Sequence, residues 1–592
     1  MSEDEARVSL RHLLFAAIFL LALGMRLSHL GAMPLDDAEA TQALWAAEGT
    51  PEDSVFWPQA DGSGSSAAYQ TVTWAIFQVA GGSEATARLF PAVIGALIVL
   101  PPWLLRRRLG LAGALAASFL LAIAPTLVAT SRTADGTSEA MVAAALGAAA
   151  LILALDEQWS PKQAMALLAG AVALGFGSGP AFYLGLLSLA PAVGLMLATT
   201  PRLWAGGEWS RVKAKLPGAI GIGILGAIAL AIAAGLLPRG LTALAEGLRV
   251  WLLDWIGPGG MHALSPMAIL AAYEPLVLVF GILGAVTAIR GRDSLSVGAA
   301  WWAALALLVT VLYPGRSGEA VAWITIPLAL LAGPSLAGEA ERVRRLSSPW
   351  QALGVAALVA LLLVYAGVQV SAFASGIGPG ASPLVPEARL AVAAGAVIVA
   401  ILAVVLIGLG WSWGVARSGV AAAGALLLLF LTLSSGWRLN YFRQRLGAGE
   451  LWTVSTPTYG IPRIASTLAS LSTTARGVPD ELPIAIDAQA PPASLVWALR
   501  AFPRFTTSDS AVGESPPVIL MRKPGLEPQL RADYLGQSVV IGETWDFAGP
   551  VPPDALQWWW RRRVPVVEDS WLLLVRADIA TLGEAESGEG QP

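Results

Sequence analysis

A chain of 592 residues that is 56% hydrophobic, 13% charged, free of cysteine and formally −4 in net charge lacks the composition of a soluble domain, which carries about a quarter charged residues. The missing cysteines exclude disulfides and thiolate metal sites, and the lack of any basic stripe beyond short loops excludes a nucleic-acid partner. A mean hydropathy of +0.65 and recurring apolar runs of about 20 residues, each long enough to cross a bilayer as a helix, indicate an all-α polytopic membrane bundle; a barrel would alternate apolar and polar positions.

The polar N-terminus Met1–Arg11 leads into an apolar run from His12 to Leu30 that has no small-residue cleavage site. It reads as a retained first helix and not a signal peptide. A polar loop, 31–67, follows, rich in Gly, Ser, Asp and Pro, and then 68–80, too short to span and suited to the interface. Further spans are predicted near 87–105, 111–130, 138–155, 163–179, 181–199, 217–237, 267–289, 295–313, 320–337, 351–373, 388–410 and 419–436, about thirteen transmembrane helices in all. The Gly- and Ala-rich faces of these spans read as packing seams. With the N-terminus cytoplasmic, the inner loops collect Arg106–Arg108, Lys162, Arg202, Arg211, Lys213, Lys215, Arg290, Arg292, Arg342, Arg344, Arg345 and Arg417, and the outer loops only Arg88, Arg132, Arg239, Arg249 and Arg316. Positive charge concentrates inside in plasma-membrane proteins, so the expectation is a multi-pass protein of that membrane with its tail outside.

The division expected is a membrane domain, 1–437, carrying an external acidic loop region, 31–80, and an extracytoplasmic α/β domain, 438–592. In the latter, Leu482–Ile486, Pro517–Met521 and Trp571–Val575 read as strands, and Ile464–Leu471 and Ala493–Phe502 as helices. Trp558-Trp559-Trp560-Arg561-Arg562-Arg563 sets aromatics beside cations, which suits either the lipid headgroup layer or a domain core. Residues 583–592 read as disordered.

Three outer turns carry the candidate chemistry. Pro34-Leu35-Asp36-Asp37-Ala38-Glu39-Ala40 places three acids where the first span emerges, at the head of an Ala-rich helix over Asp36–Glu48. Asp36 or Asp37 either caps that helix or acts as a general base toward an acceptor hydroxyl; low dielectric and a second acid raise a carboxyl pKa toward that task. In Ser131–Glu139, Asp135 and Glu139 share a helix face if the helix starts early, with Arg132 beside them. In Tyr313–Glu319, Arg316 either offers its donor fork to a lipid-linked phosphate or pairs with Glu319 or lipid headgroups. Tyr69, opening the interfacial segment, joins Arg132, Asp135, Glu139 and Arg316 as a substrate-binding candidate. His12, His29 and His262 show no ligand spacing with the acids, so no metal site is assigned; an oxygen-only divalent-cation site at Asp36/Asp37 stays open. No Walker loop or dinucleotide fingerprint occurs, which points to a donor delivered through the membrane.

In order and spacing these residues resemble the C-type fold membrane glycosyltransferases, the group of protein O-mannosyltransferases and lipid A aminoarabinose transferases. The likeness is nearest to the flippase-activity-associated proteins of archaeal N-glycosylation. It rests on Arg26-Leu27 leading to Leu35-Asp36-Asp37-Ala38, on Ala87-Arg88-Leu89-Phe90-Pro91-Ala92-Val93-Ile94-Gly95, and on Leu104–Gly110. Leu121–Pro125 before Ser131-Arg132, Trp323–Gly333, Trp497–Arg500 and Trp558–Val564 extend it. The resemblance implies inverting hexosyl or pentosyl transfer from a polyprenyl-phosphate sugar donor to an extracytoplasmic protein, lipid or glycan acceptor, among membrane lipids. Asp36 would be catalytic, with Asp37 at the family's Glu position. The chain departs from the pattern at Thr137, where the family has an acid, and at Gly62–Ser66, where it often has His-Gly-Pro. A member that binds or helps flip lipid-linked glycan without catalysis is the second expectation.

Overall fold

The structure, a computed structural model, describes residues 3–47, 66–155, 159–199, 207–233, 240–257, 259–291, 293–375, 386–442, 449–488, 491–503, 505–508, 515–523 and 530–579. Gly62–Ser65, Glu48, Arg202, Arg239, Arg292 and the tail end 583–592 lie outside the described residues.

Among the described residues, ten helices are long and apolar enough to cross a membrane. They become eleven when Ser265–Tyr273 and Pro275–Gly291, bent by 102° at their junction, count as one span. The bend falls at Glu274, ahead of Pro275; proline cannot donate to the helix ladder and disfavours helical backbone in the residue before it. The other two of the thirteen expected segments are helical but short. Leu111–Ile123 breaks at Ala124 and resumes as Pro125–Thr130, and Pro161–Gly177 has 17 residues. Both are below the about 20 residues of an ordinary span. The first leads toward the turn at Asp135 and the second ends beside Ser178, which line one and the same cavity.

Small residues do form the seams between these helices. A Cβ on Gly333 would stand 2.5 Å from the carbonyl oxygen of Gly113, so Leu111–Ile123 and Ala322–Arg344 meet backbone to backbone there. At Gly185 a Cβ would lie 2.1 Å from the indole of Trp323, which is buried and lines the cavity described below. Gly185→Ala is therefore expected to destabilise by about 1–3 kcal/mol through overpacking. Thermal unfolding in detergent checks this, and an unchanged midpoint would mean Trp323 has room to move.

The tail after Arg438 builds a six-stranded mixed sheet in the order β1-β5-β6-β4-β2-β3. The strands are β1 Ser455–Pro457, β2 Ile484–Asp487, β3 Phe505–Ser508, β4 Val518–Arg522, β5 Tyr534–Trp545 and β6 Val566–Arg576. β2 runs parallel to β3 and β4, and the β4–β6, β6–β5 and β5–β1 pairs are antiparallel. Helices Gly460–Arg476 and Ala493–Leu499 pack on it. Leu35, Ala40, Ala43, Leu44 and Tyr69 from the loop region after the first span share one hydrophobic core with Ile461, Leu495, Trp497 and Val518 of the tail. Burying those apolar faces together clamps the acidic loop between the bundle and the tail domain.

Candidate active site

The acidic loop is held from both sides. Where helix Glu3–Leu27 ends, Arg132 donates to the carbonyl oxygens of Met25, Arg26, Ser28 and His29 and lies over the Tyr441 ring. Carbonyl oxygens of a helix's last turn lack intrahelical partners, and a guanidinium suits them in both geometry and charge. His29 there takes φ 55, a left-handed turn. The chain then enters helix Asp37–Ala47 through a capping box: Oδ1 of Asp36 accepts the Glu39 N–H at 2.9 Å, and Glu39 Oε2 accepts the Asp36 N–H at 3.1 Å.

Glu39 does more than cap. It forms a two-pronged ion pair with Arg88, at 2.7 and 2.5 Å, with both side chains under 10% exposed. Its Oε1 also accepts the backbone N–H of Ala134 at 2.9 Å. Arg88 spends its other contacts on the carbonyl oxygens of Leu30, Met33 and Pro34. Burial alone would raise the Glu39 pKa, but the Arg88 charge and these hydrogen bonds outweigh it and hold the carboxyl below its ordinary value. The pair thus pins the first loop, the span Glu84–Leu104 and the turn before Thr137 at one point. In the sequence Glu39 reads only as the third acid of its turn and Arg88 only as an outer-loop charge.

Around this point lies a cavity of about 470 Å³. Asp36, Asp37, Asp135 and Arg316 all line it from the membrane side, with Trp452, Ser494, Arg522 and Asp569 from the tail domain. Asp37 faces the tail: its Oδ1 accepts from both the N–H (3.0 Å) and the hydroxyl (2.6 Å) of Ser494, near the start of helix Ala493–Leu499. Arg316 does not pair with Glu319. Its Nη1 and Nη2 donate to the carbonyl oxygens of Met261 and Val311, while its buried Nε has no hydrogen-bond partner. Glu319 instead meets Asp135: the two carboxyl groups are hydrogen-bonded to each other, and the Thr137 hydroxyl lies 2.7 Å from Asp135 and 3.1 Å from Glu319. A second cavity of about 410 Å³ adjoins the first across Ala38, Asp135, Ser317 and Glu319 and is also lined by Asp254 and Tyr313, whose hydroxyl donates to Asp254 at 2.7 Å.

Two carboxyl groups in direct hydrogen-bond contact must share a proton. Burial raises the Asp135 pKa, against the lowering effect of its bonds to Thr137 and of the Glu319 contact, in which Asp135 is the acceptor. The pair should therefore hold its shared proton above the usual carboxylate range. The contact is expected to persist at low pH and to open as pH rises through that raised value, because a group with a raised folded-state pKa stabilises only while it holds its proton. A protonated-carboxyl infrared band that shifts in Asp135→Asn and is lost in Glu319→Gln checks this; a band unchanged in both variants would assign the proton elsewhere.

The remaining candidates fall outside these cavities. Helix Thr137–Ala154 begins after Asp135, so Asp135 and Glu139 do not share a face toward the cavity. Glu139 turns into the bundle, fully buried, with neither carboxyl oxygen hydrogen-bonded. Tyr69 is fully buried and donates to the Ala87 carbonyl oxygen at 3.0 Å. Arg132 borders a small neighbouring pocket, with Asp36 and Arg88. In the sequence Asp254 and Tyr313 are marked only by standing at the ends of apolar runs. Among the described residues no three His, Cys, Asp or Glu side chains converge as a metal set, and Asp36 and Asp37 direct their Oδ1 atoms to different partners.

No family model matches the chain, and no curated protein matches it. Solved structures do. ArnT from Cupriavidus metallidurans bound to undecaprenyl phosphate aligns at TM-score 0.52 and 16% identity, over 97% of this chain and 99% of that one. The same protein in the apo state aligns at 0.50 and 17%, over 88% and 94%. A looser match is the archaeal oligosaccharyltransferase AglB from Archaeoglobus fulgidus in complex with an inhibitory peptide and a dolichol-phosphate, at 0.46 and 12%, over 87% and 70%. The chain thus has an ArnT-like fold, a polytopic helical membrane bundle carrying a C-terminal mixed-sheet domain.

Proposed function

We propose that the chain is a membrane glycosyltransferase that moves a sugar from a polyprenyl-phosphate-linked donor to an extracytoplasmic acceptor. The observation that carries this reading is the meeting of Asp36, Asp135 and Arg316, from three separate turns, on one cavity roofed by the tail domain. The ArnT-like fold supports it, since that protein was solved with undecaprenyl phosphate. In this reading Asp36 takes the proton of an acceptor hydroxyl. The acceptor oxygen bonds to the anomeric carbon as the bond from that carbon to the phosphate oxygen breaks, and the displaced lipid phosphate keeps the electron pair beside Arg316. The Asp135–Glu319 wall offers acceptor oxygens for sugar hydroxyls.

A second reading has its own observation. Asp36 caps its helix and Asp37 docks Ser494, so both acids already hold structure together. A relative that binds lipid-linked glycan without transfer, of the flippase-associated kind that the first loop resembles, would need no more. Mass spectrometry of envelope glycans in cells with and without the gene separates the two when joined to an assay of purified chain with labelled polyprenyl-phosphate sugars. Loss of a glycan in cells together with transfer in vitro supports the enzyme; binding of donor without turnover supports the second reading.

A further inference from the structure

The aromatic and basic run Trp558–Arg563 is not absorbed by the site above. Trp558 is core: it is 3% exposed and its indole N–H donates to the Gly449 carbonyl oxygen at 2.7 Å. The residues after it are placed differently. Trp560, Arg561 and Arg562 line a groove of about 580 Å³ against Phe430, Trp437 and Arg438 at the end of the span Trp413–Phe442. We propose that this groove binds the headgroup of an anionic glycerophospholipid of the surrounding bilayer.

Depth is the first argument. Phe430, 67% exposed, and Trp437, 56% exposed, present apolar surface where the last span reaches its polar end at Arg438. Exposed tryptophan followed by arginine marks the boundary between hydrocarbon and headgroups. Charge is the second. Three arginines line the groove and no acidic side chain does. Glu450, behind Arg562 at 3.7 Å, offsets that one cation, which leaves Arg438 and Arg561. The third argument is unmet donors. Arg562 is buried and stacked on Trp558 at 4.2 Å, with Nη1 lacking a hydrogen-bond partner, and the Trp560 indole N–H lacks one too. Arg438 spends one nitrogen on the Trp560 carbonyl oxygen and Arg561 one on that of Ser375, from forks of five donors each. A phosphodiester set between the two forks accepts from both, and its acyl chains continue along Phe430 and Leu433. None of the groove's residues lines the cavity that holds Asp36 and Asp135, so the ligand is a lipid of the bilayer and not the donor.

Native mass spectrometry of the full chain in detergent, with phosphatidylglycerol or phosphatidylcholine added, tests this. The expected result is retention of phosphatidylglycerol over phosphatidylcholine, falling about fivefold for each of Arg438→Gln and Arg561→Gln. Arg561 is exposed, so Arg561→Gln keeps the test valid even if Arg438→Gln fails to fold. Equal retention of the two lipids, or retention unchanged in Arg561→Gln, overturns the proposal. So does displacement of phosphatidylglycerol by tenfold less polyprenyl monophosphate, which would make the groove a site for the donor's lipid.

Discussion

Arg88→Ala is expected to abolish recovery of folded protein, at a cost of about 3–5 kcal/mol, because it strands the buried Glu39 carboxylate without its cation. The loss extends beyond one pair. Arg88 also donates to three loop carbonyl oxygens, and Glu39 accepts the Ala134 N–H, so the variant leaves several buried polar groups unpaired at once. Glu39→Gln keeps the shape and part of the bonding and should be milder. The pH dependence follows from the lowered Glu39 pKa: the pair contributes stability above the ordinary carboxylate value and loses it only as pH falls through the lower folded value. Size-exclusion chromatography and thermal unfolding of the detergent-solubilised protein check both variants. A monodisperse Arg88→Ala protein with an unchanged unfolding midpoint would remove the pair from its central role.

That pair also shows where sequence reading stops. Apolar runs of span length announce themselves because the bilayer demands them residue by residue, and the outline of the bundle was legible for that reason. The cap at Asp36 was legible too, as local chemistry within four residues. The Glu39–Arg88 bond joins positions 49 apart, and no periodicity links them. Arg132 illustrates a subtler limit. Its sequence position suggested ligand binding, but an arginine beside a helix end has carbonyl oxygens closer at hand than any substrate, and it takes four of them. Glu139 turned inward because the helix begins at Thr137 and not before Asp135, a shift of a turn that sequence cannot resolve. In the tail, β2, β4 and β6 stood out as apolar runs, whereas β5, Tyr534–Trp545, carries two glycines and several polar residues and owes its form to pairing with β6 along its length.

Asp36→Asn isolates chemistry from architecture. Asparagine caps a helix about as well as aspartate, so its side-chain oxygen keeps the Glu39 N–H bond that Asp36 Oδ1 makes. Folding, expression and the Asp37–Ser494 contact should be unchanged. What asparagine cannot do is take a proton. If Asp36 is the base that deprotonates the acceptor, transfer from polyprenyl-phosphate-linked hexoses or pentoses should fall by about 10²–10⁴-fold while donor binding persists. Asp36→Ala provides the converse: it removes cap and carboxylate together and should also lower stability by about 1 kcal/mol. The two variants therefore separate the two readings of this loop. A site built on Asp36 loses turnover equally in both, with only the alanine protein less stable. If asparagine supports full transfer and alanine is merely less stable, Asp36 is a cap. The proton must then go elsewhere, and the Asp135–Glu319 pair on the shared cavity wall is the place to look.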